Sequence, residues 1–210
     1  MIKTLSGCSL LIATFCMAFL SFSVPASAAT DMASPTEFVQ RLGDTALMSL
    51  TSKNLSRKTR EERVRKILDD NFDITAIGRF AIGPYWRTAT DAQRDDYMKL
   101  FEDLIVETYT NRFEAYSGQT LKVSGARASG RDDYIVESRV IQKDAAPIGL
   151  EWRVRKEDGH LRIVDVIVAG VSMSFTQRAD FMSVIQNEGG LNGLIASLQK
   201  RHEESQHNGG

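Results

Sequence analysis

The sequence predicts an α+β domain in which helices pack on a curved antiparallel sheet of about four strands. Three observations point there. Capped, amphipathic helical segments fill the stretch up to residue 117, four runs of strand-like alternation follow, and two further helical patterns close the chain. No internal repeat, second apolar span or low-complexity block interrupts this order, so one domain is expected at 29–202, with residues 203–210 ("EESQHNGG") as a disordered tail.

The first residues read as an export signal. Lys3 supplies a positive start, Leu10 to Leu20 an apolar run, and Ala26-Ser27-Ala28 a small-residue cleavage site, so residues 1–28 are expected to be removed and the protein to be exported in soluble form. The apolar run is short for a membrane span. Leu5-Ser6-Gly7-Cys8 imitates a lipoprotein signal, but Cys8 precedes the apolar run instead of following it. Both cysteines, Cys8 and Cys16, lie in this segment, which leaves no disulfide or thiol chemistry for the domain. Cleavage removes one charge, Lys3, and takes the formal net charge from −1 to −2. With acids and bases interspersed, that is not a nucleic-acid-binding footprint.

Ser34-Pro35-Thr36-Glu37 is a capping box, and Phe38, Leu42, Ala46, Leu47 and Leu50 mark one face of the first helix behind it. Thr59 to Glu62 resembles a second box, opening a charged helix with Val64, Ile67 and Leu68. Its run "RKTREERVRK" reads as a solvated face. A third helix should start near Asp73, carry Ile74, Ile77 and Phe80, and stop at Gly83-Pro84. Thr90 and Gln93 then cap the longest helix, over about 91–117, where Tyr97, Leu100, Phe101, Leu104, Ile105, Tyr109, Phe113 and Tyr116 keep 3-4 spacing. At about 1.5 Å per residue it would span some 40 Å.

Strands are expected at Leu121–Arg127, Tyr134–Gln142, Ile148–Lys156 and Leu161–Val168. In the third, Ile148, Leu150, Trp152 and Val154 alternate with Gly149, Glu151, Arg153 and Arg155, giving one buried and one wet face. A three-residue Glu157-Asp158-Gly159 loop would set Trp152 opposite Val164 and Leu150 opposite Val166; a two-residue Asp158-Gly159 loop would set Trp152 opposite Asp165. Apolar pairing favours the former. The fourth strand is apolar on both faces and reads as central. Phe181, Val184 and Ile185, then Leu191, Leu194, Ile195 and Leu198, mark two helices broken at Gly189-Gly190.

Little in the chain suggests catalysis. Of three histidines, His160 sits at a turn, and His202 and His207 lie near the end; none has metal-ligand spacing. No nucleophile elbow or glycine-rich phosphate loop occurs. Asp165 and Glu137 are the carboxylates a buried-acid enzyme would use. The plainer reading is that each faces water or pairs with Arg139, Arg153 or Arg162. What remains is a surplus of large apolar groups, and spacing does not distinguish a filled core from a hollow one.

Two blocks carry a family resemblance. Residues 72–116, "FDITAIGRFAIGPYWRTATDAQRDDYMKLFEDLIVETYTNRFEAY", and 158–201, "DGHLRIVDVIVAGVSMSFTQRADFMSVIQNEGGLNGLIASLQKR", closely resemble the MlaC family of periplasmic phospholipid-binding proteins, also known as toluene-tolerance or ABC-transporter auxiliary proteins. The sequence departs from the family at Ala169, where an acidic residue is usual, and in "GLEWRV". The hopanoid-associated HpnM-like branch is the related alternative. The resemblance implies an NTF2-like fold enclosing an apolar cavity, no cofactor, no metal and no enzyme activity. It implies that acyl chains are held inside, and that lipid passes between an outer-membrane lipoprotein–porin complex and an inner-membrane ABC transporter bearing MCE domains, maintaining outer-membrane lipid asymmetry. On that reading Phe80, Leu100, Leu104, Ile105 and Tyr109 would line the cavity from the helices. Trp152, Val154, Val164, Val166 and Val168 would line it from the sheet. Tyr85 and Trp86 would sit at the rim, with Ser172 and Arg79 as polar contacts at the entrance.

Overall fold

Capping decides where each early helix begins. In the computed structural model, which describes residues 34–208, Ser34 caps α1 (Pro35–Leu50) and Glu37 returns a carboxylate to the Ser34 amide at 2.9 Å. The expected signal at 1–28 lies outside the described residues. Helix α2 (Arg57–Asn71) starts earlier than its sequence suggests, because the hydroxyl of Ser56 accepts from the Thr59 amide; Thr59 is inside the first turn, not the cap. Asp73 caps α3 (Ile74–Ile82), which ends at Gly83 with φ +51°, a conformation glycine adopts without penalty. A four-residue turn, α4 (Tyr85–Thr88), was not foreseen. The expected Thr90–Gln93 box then opens α5 (Asp91–Glu114), 24 residues and about 36 Å long.

The charged run of α2 is in part the expected solvated face, with Lys58, Glu62, Arg63 and Lys66 exposed, but its arginines also act as fasteners. Arg60 is buried, donating to the Leu50 carbonyl at 3.1 Å and to Glu114 at 2.9 Å. Arg63 donates to the Ser49 carbonyl, and Arg65 pairs with Glu102 and Asp103 on α5. These bonds close the last carbonyls of α1 and tie α1, α2 and α5 together.

The sheet has five antiparallel strands in sequential order: β1 (Thr120–Ala128), β2 (Asp133–Ile141), β3 (Ile148–Glu157), β4 (His160–Val168) and a two-residue β5 (Val171–Ser172). The first four match expectation; the fifth is added. At the β3–β4 hairpin the expected three-residue loop is replaced by the two-residue one, with Asp158 at φ +47° and Gly159 at φ +80° and Glu157 opposite His160. A bulge at Val164 then shifts the register by one. Trp152 faces Val166 and Leu150 faces Val168, so apolar pairing is achieved by an extra residue in the strand instead of in the loop. A second irregularity lies between Val123 and Gly125. Bulges of this kind bend the strands and give the sheet its curvature. Strand β4 is next to the edge and not central: β5 covers one end of its outer side, and Phe72 and the Asp73 amide cover the other at Ile163.

Helix α1 lies on β1 at Gly43, where an added Cβ would come within 2.6 Å of Leu121. Helices α6 (Met173–Asn187) and α7 (Leu191–Asn208) pack with α3 and α5 around Tyr97, Leu100, Phe101, Leu104, Phe181, Ile185 and Leu194. The tail expected to be disordered from 203 continues α7 to Asn208, with Gln199–Glu203 and Lys200–Glu204 contacts at helical spacing.

Candidate functional site

A cavity of about 270 Å³ opens between α1, α2 and the end of α5 on one side and the sheet on the other. Its helical wall is built by Leu42, Leu47 and Leu50 of α1, Val64, Ile67 and Leu68 of α2, Phe72, and Tyr109, Phe113 and Tyr116 of α5. Its floor is Leu121, Val140, Leu150, Trp152, Val166 and Val168. The register derived above explains the floor: with Trp152 opposite Val166 and Leu150 opposite Val168, four apolar side chains from two strands share one face. The Trp152 indole N–H donates to the buried hydroxyl of Ser138 at 2.8 Å, so the ring is held as a wall.

A second cavity, about 160 Å³, adjoins the first and shares Leu68, Phe72, Tyr109, Arg112 and Val166 with it. It is more polar, with Thr108 and Arg112 on α5 facing Asp165, Gln177 and Asp180. Arg112 lies over the Tyr109 ring at 5.6 Å, and burial pushes the Tyr109 phenol above the usual tyrosine range.

Of the residues expected from sequence, Tyr109, Trp152, Val166 and Val168 line the first cavity, and Ile105 lines the second. Leu100 and Leu104 are buried in the filled helical core instead. Val154 is fully buried between Val39, Leu42, Val136 and Ile163, beneath α1. Val164 is the bulged residue, half-buried, its carbonyl facing the Ser174 hydroxyl. Tyr85 packs against the helical core. Phe80, Trp86 and Arg79 belong to a separate surface cleft, not to the cavity rim. Sequence reasoning had not assigned the walls from α1 and α2. The apolar face of α1 and the continuation of the α5 stripe to Phe113 and Tyr116 were the available signals.

Asp165 lines the second cavity but forms no ion pair with an arginine among the described residues. It is buried, one carboxylate oxygen accepting from Ser172 Oγ at 2.6 Å and the other from the Ser174 amide at 3.0 Å. Ser172 in turn caps α6 through the Phe175 amide, so both residues fix the start of that helix. Glu137 is exposed and lies 3.7 Å from Arg127. No cluster of metal-binding side chains occurs among the described residues. No helix among them is long and apolar enough to cross a membrane.

The family model described as MlaC protein matches residues 40–200. The chain belongs to the MlaC family. Among characterised proteins it is 24% identical over 175 residues to the intermembrane phospholipid transport system binding protein MlaC of Haemophilus influenzae, an alignment spanning 80% of this chain and 81% of that protein. Among solved structures it resembles the phospholipid-binding protein of Ralstonia solanacearum, determined in complex with a phospholipid. The TM-score is 0.71 at 25% identity, covering 82% of this chain and 98% of the other. The likeness extends to the whole α+β arrangement, not to a local motif.

Proposed function

We propose that this MlaC-family chain is a periplasmic phospholipid carrier that encloses acyl chains and moves lipid between outer-membrane and inner-membrane complexes. The observation that carries the reading is the cavity between α1, α2, α5 and the sheet, whose walls are almost wholly aliphatic and aromatic. A free diacyl lipid in water is costly. At about 0.8 kcal/mol per methylene, two sixteen-carbon tails represent roughly 25 kcal/mol. A carrier needs enclosure and no nucleophile, and Asp165, the acid buried among the described residues that a buried-carboxylate enzyme would use, already holds two hydrogen-bond donors.

Ligand pockets commonly run from about 300 to 1,000 Å³, so the first cavity alone is small for a lipid. On the proposed reading the cargo occupies both cavities, passing the shared wall of Leu68, Phe72, Tyr109 and Val166. The acyl end lies over Trp152 and the polar end faces Arg112 and Gln177. The relatives named above support this: one is a component of an intermembrane phospholipid transport system, the other was solved with phospholipid bound. The outer-membrane lipoprotein–porin complex and the MCE-domain transporter are the partners this role requires.

Native mass spectrometry of the purified mature protein, followed by solvent extraction, tests the reading. A near-stoichiometric phospholipid is expected. Absence of bound lipid, together with no thermal stabilisation by added phospholipid, rejects it, and a hopanoid-type mass would redirect it to the related branch.

A further inference from the structure

The cleft between α3, α4 and α6 has a different chemistry from the cavity and shares no lining residue with it. Its walls are Arg79, Phe80, Gly83, Pro84, Trp86, Arg87 and Arg178. None of its three guanidiniums has a carboxylate within salt-bridge distance among the described residues, although most arginines of α2 and Arg94 do. Two of them, Arg178 and Arg79, are also held in place. Arg178 donates to the Phe80 carbonyl at 2.9 Å, lies 5.0 Å from the Phe80 ring, and packs so closely on Gly83 that a Cβ there would meet it at 2.6 Å. Arg79 lies over the Trp86 ring at 5.4 Å. Beside them, Phe175 at the start of α6 is 63% exposed, touching Phe80 edge-on at 4.9 Å.

We propose that this cleft docks the protein onto a bilayer surface rich in anionic phospholipid, with the arginines on headgroup phosphates and Phe175 and Trp86 at the level of the headgroups. Guanidinium groups match phosphate oxygens, and Trp and Phe beside cations are the side chains that settle at a water–lipid boundary. An acidic protein surface would satisfy the charges but not the face of Phe175 that Phe80 leaves open to solvent; a bilayer satisfies both. The contact is separate from cargo binding, since a carrier that touches a membrane through one face keeps its cavity free for exchange.

Co-sedimentation with vesicles of pure phosphatidylglycerol and of pure phosphatidylcholine tests this on the full mature protein. Binding to the first and not the second is expected, falling as salt is raised. Arg87→Glu reverses one exposed charge. With each charge near an anionic surface changing the affinity about fivefold, it should weaken binding about 25-fold, with an unchanged melting temperature and unchanged co-purified lipid. Phe175→Ser, also on the surface, should weaken it severalfold. Vesicle binding by Arg87→Glu within about twofold of the parent overturns the proposal, as does failure of the parent to bind phosphatidylglycerol. Acidic polypeptide binding in place of vesicle binding also overturns it and assigns the cleft to a protein partner.

Discussion

The two halves of α5 carry one apolar stripe and do opposite things with it. At the N-terminal half, Tyr97 and Phe101 stack at 5.8 Å, Phe181 meets each ring edge-on at 6.1 Å, and the Tyr97 hydroxyl donates to the Gly78 carbonyl at 2.9 Å. The approach of α3 is tight, since a Cβ on Gly78 would come within 2.8 Å of the Met98 sulfur, and only the flank of Phe101 touches the second cavity. At the C-terminal half, Tyr109, Phe113 and Tyr116 face a hollow. The difference lies in what is placed opposite. The first half meets α3, α6 and α7, whose side chains interlock with it. The second meets a sheet that α1 and α2 hold at a distance, fastened by Arg60, Arg63 and Arg65.

The filled half should answer to loss of volume. Phe181→Ala removes the ring that braces both Tyr97 and Phe101 and is expected to cost about 3–5 kcal/mol, read as a lower denaturant midpoint. Gain of volume should separate the halves more sharply. Leu104→Trp overpacks the solid core and should cost about 1–3 kcal/mol. Val166→Phe enters the hollow and should stay within about 1 kcal/mol of the parent while the co-purified lipid falls. If both substitutions destabilise equally, the distinction between the halves fails.

That pair also marks where the sequence ran out. The caps at Ser34, Asp73 and Thr90, the four long strands and the Gly189-Gly190 break are local events, and local residue chemistry announces them. Leu104 and Tyr109 sit on the same stripe, five residues apart, and periodicity treats them alike. Only the placement of α1 and α2 makes one core and the other wall. The β4 register differs from the sequence expectation for a related reason. The demand for apolar pairs is legible, but a strand bulge and a loop residue meet that demand equally well, and both look the same in composition. Asp165 was hidden because its partners, Ser172 and the Ser174 amide, come from a helix start folded back onto the strand.

The smallest effect concerns two tight turns at opposite ends of β4. Asp158-Gly159 uses an Asp at positive φ, which such residues tolerate. Ala169-Gly170 places an alanine at φ +49°. Ala169→Asn should therefore stabilise the protein by about 0.5–1 kcal/mol, seen as a small rise in melting temperature, and should leave the cavity volume and lipid content alone.

The chain has two tryptophans, and the fold assigns them separately: Trp152 to the cavity floor and Trp86 to the arginine cleft. Each is the natural fluorophore of one site. In a Trp86→Phe background, emission reports only what enters the interior. In a Trp152→Phe background it reports only what touches the outside. Loading and docking thus become two optical signals whose order in time can be followed without attaching a label.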